Sequence, residues 1–126
     1  MGNGVSLVYP VVLALIGAAQ SFQMPDAPLQ RYEPQYPLAA LENGDVAMCR
    51  VDLLRREDGT VTATGVRCAA TGSDFAFERA SARTVERWQY APSDQNHALQ
   101  TCFTFRLYGI EIPDHFADIC EPYPVS

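Results

Sequence analysis

Two periods of hydrophobic and polar residues run along this chain. From Phe75 to Pro92, apolar residues recur at Phe77, Ala80, Ala82, Val85, Trp88 and Ala91, mostly at the three- or four-residue steps that line one face of a helix. Glu78, Arg79, Arg83, Glu86 and Arg87 fall largely on the other side, where the spacing reads as a solvated face. Glu78 and Glu86 are expected to pair with the helix arginines, and the arginines, spaced at four-residue steps, to repel one another. Ser73 and Asp74 precede the segment and are residue types that cap a first helical turn. Pro92 disfavours helical geometry at Ala91, so the pattern predicts a helix that stops near Tyr90.

The second period is two. Ala47, Cys49, Val51 and Leu53 alternate with other residues, as in a half-buried strand. Asp58-Gly59 is a strong signal for a two-residue hairpin turn, with Glu57 and Thr60 on either side. That turn would place Arg55 opposite Thr62, Leu53 opposite Thr64, Val51 opposite Val66 and Cys49 opposite Cys68. The same count makes Cys49 and Cys68 a hydrogen-bonded pair. Residues 99–107 alternate again, with Thr101, Phe103, Phe105 and Leu107 on one face and Cys102, Thr104 and Arg106 on the other. Strand, strand, helix, strand predicts a two-layer α+β domain: a three-stranded antiparallel sheet with one helix packed across it. Residues 38–45 have room for one or two helical turns, broken by Asn43-Gly44.

The flanks are less regular. Residues 5–19 are apolar and uncharged, but shorter than the roughly 20 residues of a bilayer span, and Ala19-Gln20-Ser21 fits a small-x-small cleavage site. Residues 1–21 therefore read as a signal peptide, or failing cleavage as a membrane tether. Residues 22–37 contain Pro25, Pro28, Pro34 and Pro37 and read as an extended lead-in. Residues 38–107 form the domain, and 108–126 an irregular tail.

Composition narrows the chemistry. The net charge is −6 and all nine basic residues are arginines without a basic run, which argues against a nucleic-acid partner. Four cysteines in a small exported domain favour disulfides. Three pairings are possible in principle; the hairpin favours Cys49–Cys68, which leaves Cys102 and Cys120 to tie the tail to the third strand. A Cys49–Cys68 bond would close a loop worth about 3 kcal/mol in the chain-entropy model. The cysteines, His97 and His115 lack metal-ligand spacing, and Cys102 sits mid-strand rather than in a nucleophile setting, so neither a metal, a cofactor nor enzymatic activity is expected.

The sequence resembles the C-terminal domain of TonB proteins, the energy transducers of the Gram-negative envelope. The resemblance rests on Pro34-Gln35-Tyr36-Pro37, Ala40, the Asp58-Gly59 hairpin, Phe77-Glu78-Arg79, Trp88-Gln89-Tyr90-Ala91-Pro92 and Phe103-Thr104-Phe105-Arg106-Leu107, over roughly residues 33–107. It implies a periplasmic binding module that adds an extended peptide, the TonB box of an outer-membrane receptor or a segment of a similar envelope partner, as a strand at a sheet edge. The edge implied is Gln100, Thr101, Cys102, Phe103, Thr104, Phe105, Arg106 and Leu107. Arg31, Gln35 and Tyr36 are the implied receptor contacts, with Glu33 standing where well-known members carry Gln. A lead-in of about a dozen residues reaches only tens of ångströms, so a binding module without an energy-transducing stroke is expected. The competing expectation is a self-capped structural domain whose disulfide-tethered tail occupies that same edge.

Overall fold

The computed structural model describes residues 27–121. The apolar leader and its cleavage motif lie outside the described residues. Among those described, no helix is long and apolar enough to cross a membrane. The elements run α1 (Leu38–Asn43), β1 (Ala47–Arg55), β2 (Val61–Ala70), α2 (Phe75–Val85) and β3 (His97–Phe105), followed by a 3-10 segment at Asp114–Cys120. The strands form one antiparallel sheet in the order β2-β1-β3. The ββαβ arrangement predicted from the two periods is the arrangement observed.

The alternation in β1 is real: Ala47, Cys49, Val51 and Leu53 are all buried against the layer that holds α2. That layer has two apolar clusters. One gathers Val51, Leu53, Val61, Val85, Trp88, Tyr90 and Phe103. The other gathers Ala40, Ala47, the Cys49–Cys68 pair, Phe77 and Phe105, with Tyr36 packed at its border. Phe77, Phe105 and Tyr36 meet edge to face, with centroids 4.9–5.9 Å apart, the arrangement that the ring quadrupoles prefer.

The hairpin departs from the prediction twice, and the departures cancel. The turn has three residues, Glu57-Asp58-Gly59: the Arg56 amide donates to the Thr60 carbonyl at 2.8 Å, and the Gly59 amide to the Arg56 carbonyl at 2.8 Å. Gly59 carries the positive φ, at 90°. The extra turn residue moves the pairing by one, so Leu53 faces Ala63 and Arg55 faces Val61. Further along, Asp52 faces Gly65, leaving Thr64 as the extra residue of a bulge. Beyond it Val51 faces Val66 and Cys49 faces Cys68, as predicted. The change also alters the pair's character. The Thr71 amide donates to the Val46 carbonyl at 3.0 Å, so by the antiparallel alternation Cys49–Cys68 is a non-hydrogen-bonded pair. Its Cα atoms are accordingly close, at 4.0 Å.

Gly59 is held by more than its φ. A Cβ there would fall inside the van der Waals shell of the Tyr90 carbonyl oxygen and against Gln89, and the Tyr90 amide donates to the Gly59 carbonyl at 2.9 Å. Gly59→Ala is expected to destabilise the domain by about 2 kcal/mol or more, combining left-handed strain with overpacking. A urea midpoint unchanged from wild type would contradict this.

Helix α2 ends at Val85, short of the predicted Tyr90. Pro92 is not the terminator. The last turn tightens, with the Arg87 and Trp88 amides donating to the Thr84 and Val85 carbonyls, and the chain then leaves the helix as the Gln89 amide donates to Gln30 and the Tyr90 amide to Gly59. Trp88 and Tyr90 are thereby turned into the core. Asp74 makes no side-chain cap; the Phe75 amide instead donates to Ser73 Oγ at 3.4 Å. Strand β3 begins two residues earlier than predicted and ends at Phe105.

The tail adds a partial third layer, absent from the two-layer expectation. Gly109, at φ 81°, turns the chain back across the face opposite α2. There the 3-10 segment lies over β1 and β2, buries Phe116 and joins Cys120 to Cys102. The side chains of that face, Met48 and Arg50 among them, thereby gain cover that the helix cannot give.

Candidate peptide-binding edge

A three-stranded sheet has two edges, and they differ here. Along β2, the outer edge is interrupted by the Thr64 bulge, and the outward Ala63 amide donates to the Glu86 carboxylate at 3.1 Å. Both features make an edge unfit for a further strand. Strand β3 has neither. Among the described residues its only strand partner is β1. By the same alternation that sets the Cys49–Cys68 pair, residues 97, 99, 101, 103 and 105 point their main-chain groups at β1. Ala98, Gln100, Cys102 and Thr104 point theirs outward.

The edge has different neighbours on its two faces. On the α2 face the lead-in covers β3, because α2 itself sits over β2 and β1. The Arg31 guanidinium lies 4.5 Å from the Trp88 ring centroid and 5.8 Å from that of Phe103. Arg31 Nε also pairs with Glu33 at 3.2 Å. The Trp88 indole N–H donates to the Tyr32 carbonyl at 3.0 Å, fixing the lead-in over the ring. The Tyr36 hydroxyl donates to the Asp45 carbonyl at 2.6 Å. Burial, reinforced by the Asp45 carboxylate, holds this hydroxyl above the ordinary tyrosine pKa, so it stays a donor. On the opposite face, the Cys102–Cys120 disulfide pins the tail.

The residues predicted for this site are thus only partly brought together. Gln100, Cys102 and Thr104 present outward main-chain groups, while Thr101, Phe103 and Phe105 are committed to β1. Arg106 and Leu107 lie past the strand; the Leu107 carbonyl accepts from Ile110 at 3.1 Å in the turn to the tail. Ala98 belongs to the edge, one residue before the 99–107 span that the alternation predicts. Arg31 flanks the edge by way of Trp88 and Phe103, whereas Tyr36 is tied into the core and Gln35 is exposed on the lead-in beside α2. Between residues 108 and 121 nothing pairs with β3, so the tail as described covers a face and leaves that edge uncovered. No group of three or more His, Cys, Asp or Glu side chains comes together as a metal-ligand set among the described residues.

A three-stranded antiparallel sheet with a helix packed across one face defines the class: an α+β domain. Residues 32–107 match the family described as Gram-negative bacterial TonB protein C-terminal, and the chain belongs to that family, which serves transport in the Gram-negative envelope and is not an enzyme family. Among solved structures, the chain is similar to the solution NMR structure of the Pseudomonas aeruginosa TonB CTD, with a TM-score of 0.51 and 20% identity, over 68% of this chain and 89% of that one. That likeness concerns the fold. No curated protein matches the chain.

Proposed function

We propose that this protein is a periplasmic, TonB-like module that binds an extended peptide by strand addition along β3. The peptide would come from an outer-membrane receptor, as its TonB box, or from a similar envelope protein. The observation that carries this reading is the contrast between the two borders: β2 is bulged and capped by Glu86, while β3 offers Ala98, Gln100, Cys102 and Thr104. Main-chain hydrogen bonds from these residues would supply affinity, and the guest's alternate side chains would select the partner. Arg31, stacked on Trp88 beside β3, would meet a carboxylate or carbonyl of the guest in this reading. Export by residues 1–21, with or without retention at the membrane, completes the reading.

Titrating labelled protein with a TonB-box peptide should shift the amides of Ala98, Gln100, Cys102 and Thr104. The absence of shifts at roughly millimolar peptide, where a Kd of that order would be half-saturated, would reject the reading. Thr104→Pro removes one outward donor and leaves the β1 ladder in place, because proline is tolerated at edge positions. It should lose binding while keeping the thermal midpoint near wild type.

A further inference from the structure

A second surface lies apart from the β3 border. An open groove of about 1100 Å³ runs between α2 and the segment formed by the lead-in and α1. Leu38, Leu41, Ala76 and Ala80 give it apolar walls. Leu38 and Leu41 remain 68% and 47% exposed, although apolar neighbours are at hand. Along one side stand Arg79, Arg83 and Arg87, three of the nine basic residues of an acidic chain. Arg79 and Arg83, four residues apart on α2, have origins about 6 Å apart, and Arg87 follows just past the helix end, so the charges repel.

Nothing within the described protein neutralises this row. None of the three makes an ion pair there. The carboxylates that could have served are committed elsewhere: Glu86 accepts from the Ala63 amide at β2, and Glu33, the acidic residue of the groove wall, is held by Arg31. Arg79 and Arg87 instead rest over Phe75 and Tyr32, with guanidinium-to-centroid distances of 5.6 and 4.2 Å. Stacking of this kind restricts the guanidinium planes and leaves their N–H forks available for carboxylates. The expectation that Glu78 and Glu86 would satisfy the helix arginines is therefore overturned.

From this charge row and its apolar floor we infer that the groove docks an acidic peptide segment of a partner protein. Carboxylates about 6 Å apart would match the arginines, and one or two aliphatic side chains would cover Leu38 and Leu41. Residues of this chain outside 27–121 carry a single carboxylate side chain, Asp26, which is too little to match the row. The occupant proposed is a segment of a partner protein. A discrete apolar floor beside a linear charge row suits a peptide better than a membrane surface, which would need the apolar residues to protrude.

The test uses a short synthetic peptide of Glu and Leu residues, its Gln-for-Glu counterpart, and anionic phospholipid vesicles. The Glu/Leu peptide should shift the Nε–H signals of Arg79, Arg83 and Arg87 and the methyl signals of Leu38 and Leu41. The Gln peptide should bind about tenfold more weakly or worse, and added salt should weaken the Glu/Leu complex. The combined reversal Arg79→Glu and Arg83→Glu, at exposed positions, should likewise lower affinity about tenfold or more. Thr104→Pro should leave this binding intact, which separates it from any failure at β3. Equal affinity for the two peptides, indifference to the reversal, or binding to vesicles but not to peptide would overturn the inference.

Discussion

Replacing Phe77 with alanine is expected to destabilise the domain by about 3–5 kcal/mol, the range for emptying a fully buried aromatic site. Phe77 is completely buried and lies where three pieces of chain meet. Its ring is 4.9 Å from Phe105 on β3 and 5.9 Å from Tyr36 of the lead-in. The cavity cannot be filled by a simple collapse of α2, because the neighbouring Val85 and Trp88 are locked into the other cluster. A domain stability of about 5–15 kcal/mol is typical, so the variant should stand close to its unfolding threshold. Denaturant unfolding read by Trp88 fluorescence provides the measurement. A loss below about 1.5 kcal/mol would mean the site collapses freely, contrary to this packing.

Removing the two disulfides separately should give unequal losses. Each spans nearly the same length of chain, 19 and 18 residues, so the chain-entropy contribution of each is about 3 kcal/mol. Their surroundings differ. Cys49 and Cys68 are buried in the core cluster with Phe77 and Phe105, whereas Cys102 and Cys120 are only partly buried. The double variant Cys49→Ala, Cys68→Ala should therefore lose the entropic part and a packing part of about 1–2 kcal/mol for the deleted sulfurs. Cys102→Ala, Cys120→Ala should lose little beyond the entropic part, and its main effect should be faster amide exchange on the sheet face under residues 114–120. Equal losses by calorimetry would show that burial of the first bond adds nothing to loop closure.

These outcomes bear on how far the chain could be read before its structure. The choice of inward residues in β1 and the aromatic face of β3 were legible because side-chain direction in a strand follows from position alone. The Cys49–Cys68 pairing was reached through a turn one residue too short, and it survived because the Thr64 bulge restored the count. A single sequence gives no local signal for that bulge beyond Gly65, where Gly can mark such a site. The end of α2 was misplaced for a related reason. The helical period continues through Trp88 to Ala91, yet Gln30 and Gly59, distant in sequence, take up the amides of Gln89 and Tyr90. The arginine row was visible from the start, but only the placement of Glu86 and Glu33 revealed that no carboxylate answers it.

The sequence by itself determined the element types, their order, the buried faces of β1 and β3, and the family. These depend on periodicity and on the short-range stereochemistry of Gly and Pro. Only the tertiary structure decided which border of the sheet is left open, which face the tail covers, and where α2 stops. Those outcomes are contests among distant main-chain donors, bulges and charges, and no local pattern in the sequence records which competitor wins.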